Sequence, residues 1–117
     1  MLPFLLMLAV LSSPTPSPTA RPTCDRDVVV VNAVPPDYPD SAKALHLGPV
    51  KVIVHVTVAA DGSVVDESVD PSGSSGNAAL DVAAIRAGRL STYAPKMIAC
   101  KAVRGTYAFI AEFLYAR

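Results

Sequence analysis

A chain of 117 residues, about half of them apolar, is long enough for one domain with short appendages and too short for a two-domain enzyme. Ten Lys and Arg balance ten Asp and Glu, and no basic stripe with interleaved aromatics occurs. Nothing in the charge therefore draws the chain to nucleic acid or to an acidic membrane surface.

The chain opens with MLPFLLMLAVLSS, a compact apolar run followed by small residues, which is the pattern of a secretory h-region. It is shorter than the about 20 apolar residues that span a bilayer. Residues 1–20 are read as a signal peptide or short hydrophobic export segment. No Lys or Arg precedes the run, and Pro18 sits in the cleavage region before Arg21, so retention as a short uncleaved anchor is the other reading. The expected location is the periplasm or the medium, with inner-membrane association only through this segment if it is kept. The following PTPSPTARPT resists helix and sheet and favours polyproline II, reaching about 30 Å at about 3.1 Å per residue. This tether ends over residues 21–26, and residues 27–117 form the domain.

Cys24 and Cys100 are the only cysteines. In an exported chain a widely spaced pair reads as a disulfide, whereas zinc would want close pairs such as C-x-x-C. Two buried free thiols are the alternative.

Residues 27–34, DVVVVNAV, are β-branched and suit a first strand ended by Pro35 and Pro36. DYPDSAKALHLG then predicts a short helix with Pro39 in its first turn and Gly48 as a left-handed cap, Ala42, Leu45 and Leu47 facing the core. From Val50 to Val58 valines alternate with Lys51, Ile53, His55 and Thr57, which is a strand with one valine face. Asp61-Gly62 predicts a two-residue type I′ hairpin pairing Val58 with Val65 and Val54 with Val69. That register sets Glu67 against Val56, so a bulge is expected between Val64 and Glu67.

GSSGNAALDVAAIRAGRLSTYAP predicts a helix capped by Ser75 or Asn77, with Gly73 and Gly76 turning the chain into it. Leu80, Ala84 and Ala87 form its inward stripe, flanked by Ala83 and Leu90. ACKAVRGTYAFIAEFLYAR reads as one long strand with Gly105 as a bulge; Tyr107, Phe109, Ala111 and Phe113 share one face, Ala108, Ile110 and Glu112 the other. The order β-α-β-β-α-β gives an α+β fold, a small antiparallel sheet with two helices packed on one face.

Catalytic and ligand patterns are weak. Ser74, His55 and Asp81 carry triad chemistry by type, but no G-x-S-x-G elbow places the serine. His46, His55, Asp66, Glu67 and Asp70 have no metal-ligand spacing, and the residues after Asp61-Gly62 do not continue a calcium loop. GSSGNAALD lacks the lysine of a P-loop and the spacing of a dinucleotide fingerprint, and Asp81 would repel an anion there. No catalytic residue, metal or cofactor is expected.

Together, PPDYPDSAKALHLGPVKVIVHVTVAADGSV, SSGNAALDVAAIRAGRLSTYAP and the terminal YAFIAEF resemble the C-terminal domain of TonB-type energy transducers, over about residues 27–115. The resemblance implies a periplasmic interaction module, not an enzyme, that docks an extended segment of an outer-membrane receptor by strand addition. Carried over by position, the docking residues are Pro35, Pro36, Asp37 and Tyr38 together with Thr106, Tyr107, Ala108, Phe109, Ile110, Ala111, Glu112 and Phe113, the edge running on to about Tyr115. The family's polar contact in the first segment falls on Pro35, which has no amide side chain. The apolar run and tether are short for a membrane helix and periplasm-crossing spacer, so the engine coupling of a full transducer is not expected. The alternative is a secreted or periplasmic structural or peptide-binding module with the same fold and no transduction, or one that pairs with a second copy through its edge strands.

Overall fold

The computed structural model describes residues 24–114; the export segment, the start of the tether and Tyr115 lie outside the described residues. The valine alternation forms β2 (Val50–Val58), and Val52, Val54, Val56 and Val58 are fully buried. Their branched side chains have few rotamers to lose and pack well on a pleated face. β2 is the central strand of a three-stranded antiparallel sheet ordered β3-β2-β7, where β3 is Val64–Val69 and β7 is Gly105–Phe113. α2 (Ala78–Leu90) lies across the valine face. Leu80, Ala84, Ala87 and Gly88 are buried against it, and a Cβ added at Gly88 would sit 3.3 Å from Val56 and 3.5 Å from Phe109. Small residues let helix and sheet approach, as the alanine-rich sequence predicts.

The hairpin from β2 to β3 differs from expectation in its turn. Asp61 does not take positive φ; Gly62 does, at 91°, with its N–H donating to the Ala59 carbonyl at 2.9 Å. The Ala59 N–H donates to the Ser63 carbonyl (2.8 Å), making a three-residue loop with glycine in the left-handed position. The longer loop moves the register, so Val58 faces Val64 instead of Val65. Val54 does face Val69, and the slip between Thr57 and Val58 is the expected bulge. Glu67 opposes Val56 and turns its carboxylate to Arg89, 3.9 Å away.

The first strand, β1 (Val29–Asn32), joins a strand absent from the predicted order: β4 (Thr92–Ala94), in a separate antiparallel pair. α1 (Asp40–Lys43) is a single turn with Pro39 at its N-cap and Ala42 buried. It ends through His46 at φ 48°, not through Gly48, and Leu45 is 57% exposed where the core was expected. A helix this short has too few turns to set a face by periodicity.

The stretch expected as a single long last strand holds two strands, and the first of them pairs back onto a strand that precedes the stretch. β5 (Lys96–Ile98) and β6 (Lys101–Val103) form a hairpin whose two loop residues, Ala99 and Cys100, both take positive φ, 51° and 65°. Non-glycine residues rarely stay there unless held. Here the Ala99 N–H donates to Asp25 Oδ1 (2.6 Å), Cys100 is bridged to Cys24, and Arg26 and Met97 exchange backbone hydrogen bonds. Gly105 is not a bulge, since β7 stays in continuous register with β2 from Gly105 to Phe113. Its role is close packing: a Cβ there would fall 2.7 Å from Val28 Cγ2 and 2.9 Å from Lys96 Cβ.

Candidate docking surface

β7 is a nine-residue strand that pairs with β2 on one side and stands at the end of the sheet order on the other. Its side chains alternate: Phe109, Ala111 and Phe113 are buried and Tyr107 is half-buried, while Thr106, Ala108, Ile110 and Glu112 are exposed. Residues on the inward face can therefore offer a partner only backbone groups. Ile110, 56% exposed, is the large apolar side chain on the outward face, and Glu112 is held by Lys51 at 3.7 Å.

The other carried-over segment lies beside the end of this strand. The Tyr38 ring meets Phe113 edge-on, centroids 6.0 Å apart, which brings Pro35–Tyr38 and β7 together. A buried clasp anchors the segment upstream: the Val34 N–H donates to Ser91 Oγ (2.9 Å), and the Ser91 hydroxyl donates to the Ala87 carbonyl (2.7 Å). Pro35 and Asp37 are exposed, and Pro36 is half-buried. Ser91 is a structural residue that the sequence reading left aside, and Tyr93 entered it only as part of the family resemblance. The Tyr93 hydroxyl donates to the Gly88 carbonyl at 2.6 Å, and burial pushes its pKa up to about 12. Their only sequence signal was the STY triplet closing the helix.

The remaining polar residues are spent on local structure. Asn77 is the N-cap of α2; its Oδ1 accepts from the N–H groups of Ala79 (2.9 Å) and Leu80 (3.2 Å). Ser75 does not cap. It and Ser74 donate to Asp81, each at 2.6 Å, and Ser75 N–H adds a third bond at 3.0 Å. Hydrogen bonds from both serines hold the Asp81 carboxyl below its ordinary range against the opposing effect of burial. Gly76 turns the chain at φ 76°, and Gly73 closes the turn from Asp70 (2.8 Å) while also serving contact: a Cβ there would lie 2.7 Å from Ile53. His55 Nε2 lies 3.0 Å from Asp70 Oδ2, and Asp70 Oδ1 accepts from Ser72 N–H (2.9 Å) and Oγ (2.8 Å). With Ser74 on Asp81 and His55 on Asp70, the triad imagined from these residues does not assemble.

A small α+β domain whose three-stranded sheet ends in a long, regular edge strand is a scaffold of the protein-interaction class. Residues 34–114 match the family described as Gram-negative bacterial TonB protein C-terminal, and the chain belongs to that family. It is a TonB-like domain of energy transduction, from a family that is periplasmic, serves transport and protein interaction, and engages outer-membrane receptors. That family is not one of enzymes. No curated protein matches the chain. No helix among the described residues is long and apolar enough to cross a membrane.

Proposed function

We propose that the domain docks an extended segment of a TonB-dependent outer-membrane receptor by adding it as a strand to β7, in energy-coupled transport. The observation that carries this reading is the edge, unpaired among the described residues, of a nine-residue strand in unbroken register with β2. Such an edge supplies affinity through backbone hydrogen bonds and needs no reactive group. The opposite edge suits the task less well, because β3 is shorter, bulged at Val65 and bears Asp66 and Glu67, features that discourage pairing. Side-chain selection would fall to Thr106, Ala108, Ile110 and Glu112, with Tyr38 and its neighbours flanking the end of the added strand. Pro35 removes one side-chain contact, so the main chain carries more of the binding.

Export fits the same reading, since a bridged Cys24–Cys100 pair belongs to an oxidising compartment. Titrating ¹⁵N-labelled protein with the N-terminal segment of such a receptor should shift amides of residues 106–113 together with those around Tyr38. Shifts confined to β3, or none with any of several receptor segments, would reject the reading.

A further inference from the structure

The flank of α2 turned away from the sheet is unfinished. Ala79, Val82, Ala83, Arg86 and Leu90 recur at three- and four-residue spacing and so form one stripe. Facing it, the Val34–Pro39 stretch forms a second wall, and between them lies an open groove of about 580 Å³. That size falls within the about 300–1,000 Å³ of ordinary ligand sites. Val82 is 64% and Leu90 53% exposed, although each is large enough to gain by burial.

We propose that this groove is a second docking site, which shares the Pro35–Asp37 segment with the receptor dock but not the β7 edge, for a short apolar peptide segment of a partner protein flanked by one acidic and one basic residue. Three observations select that occupant. The wall opposite the helix contains Pro35, Pro36 and Pro39, which have no backbone N–H, so strand addition is poorly served there and binding proceeds by insertion of side chains. The helix side is recessed at Ala78, Ala79 and Ala83, where small side chains leave depth for a Leu- or Phe-sized anchor.

Charge supplies orientation. Arg86 on the helix and Asp37 on the opposite wall both line the groove, and neither forms an ion pair among the described residues, with each other or with a third group. Arg89, by contrast, is occupied by Glu67 at 3.9 Å. Two separated charges of opposite sign across an apolar floor match a peptide with an acid toward Arg86 and a base toward Asp37. Complementarity of this kind fixes register and rejects the reversed arrangement.

The test uses the full chain. A displayed library of random dodecapeptides is selected against it, and the enriched peptides are synthesised with a fluorophore for anisotropy titration. The expected winners carry two or three apolar residues between an acid and a base. Arg86→Glu should weaken them by about tenfold or more, and exchanging the peptide's acid for Lys should recover the loss. Leu90→Asp should abolish binding with the circular dichroism spectrum unchanged, because Leu90 is already half in water, while Ile110→Asp on β7 should leave binding intact. The proposal is overturned by failure to enrich any peptide, by affinity indifferent to Arg86→Glu, or by loss with Ile110→Asp. Two other occupants would overturn it as well: a concentration-dependent dimer that Leu90→Asp dissolves, or decanoate alone shifting the groove amides to saturation.

Discussion

Asp70 shows how single polar residues hold this domain's surface turns. It caps the 3-10 turn Pro71–Gly73 through Ser72, whose hydroxyl and N–H both donate to it, and its other oxygen meets His55 on the neighbouring strand. These bonds favour the charged carboxylate and pull its pKa from 3.8 to about 2, Ser72 contributing most and His55 next. A carboxylate depressed on folding lends stability that is fully present above its unfolded value and is lost as pH falls through the folded one. Acid unfolding should therefore include an Asp70 component between pH 3.8 and about 2. Asp70→Asn should flatten the stability profile in that window and leave the neutral limb parallel to that of the parent. An unchanged acid limb, or a carboxyl resonance titrating near 4, would contradict this assignment. At this scale much was legible in advance: an Asn-Ala-Ala-Leu start advertises a cap, and Asn77 supplies it. Gly105 was misread as a bulge, and the packing role of Gly73 was missed although its turn was foreseen, because the atoms that forbid a Cβ there, on Ile53, Val28 and Lys96, come from distant parts of the chain.

Elements with long, strong periodicity were readable and short ones were not. β2 repeats its valine face through nine residues and α2 its inward stripe through thirteen, enough for the alternation of two and 3.6 to separate. β4, β5 and β6 have three residues each, less than two alternations, so the stretch around Cys100 looked like the beginning of one strand. The cysteines were the better guide there. Their bridge ties Cys24, in the segment ahead of β1, to the tip of the β5–β6 hairpin across 76 positions, with the Cα atoms 4.7 Å apart. Closing a loop of that length in the unfolded chain contributes about 4 kcal/mol in the chain-entropy model. Cys24→Ser with Cys100→Ser should lower the unfolding free energy by about that amount in denaturant titration, and the hairpin amides should lose hydrogen-exchange protection before those of β2. A loss below about 1 kcal/mol would mean that Asp25 and the Arg26–Met97 pairing hold the hairpin unaided.

For the whole molecule, the sheet order decides which surfaces remain to be used. Helix α2 covers the inward valine face, β2 is enclosed between two neighbours, and the β1–β4 and β5–β6 pairs form separate small sheets. The surfaces best suited to a partner are the outer edge of β7, longer and more regular than that of β3, and the groove along α2. The edge was anticipated from the family resemblance, since the Tyr-x-Phe-x-Ala-x-Phe alternation by itself announces only a strand with one buried side. The groove was not, because it exists only through the placement of residues 34–39 against a helix far along the chain, which no local pattern in either segment reveals. Exposed Leu90 marks the place where periodicity gave the flank but could not say what covers it, and exposed Val82 was not singled out.

Strand addition at β7 makes a geometric demand that no looser mode of contact shares. An added strand places its side chains beside those of alternate β7 residues on the same face, with Cβ atoms about 4.5–5.5 Å apart. Disulfide trapping reads this directly, using a receptor segment with one cysteine scanned along it against Thr106→Cys, Ala108→Cys, Ile110→Cys and Glu112→Cys in the otherwise native, bridged protein. Strand addition predicts one register in which successive β7 positions trap peptide positions two apart, while Ser68→Cys on β3 traps none. Trapping without period two, or equal trapping at Ser68→Cys, would contradict it.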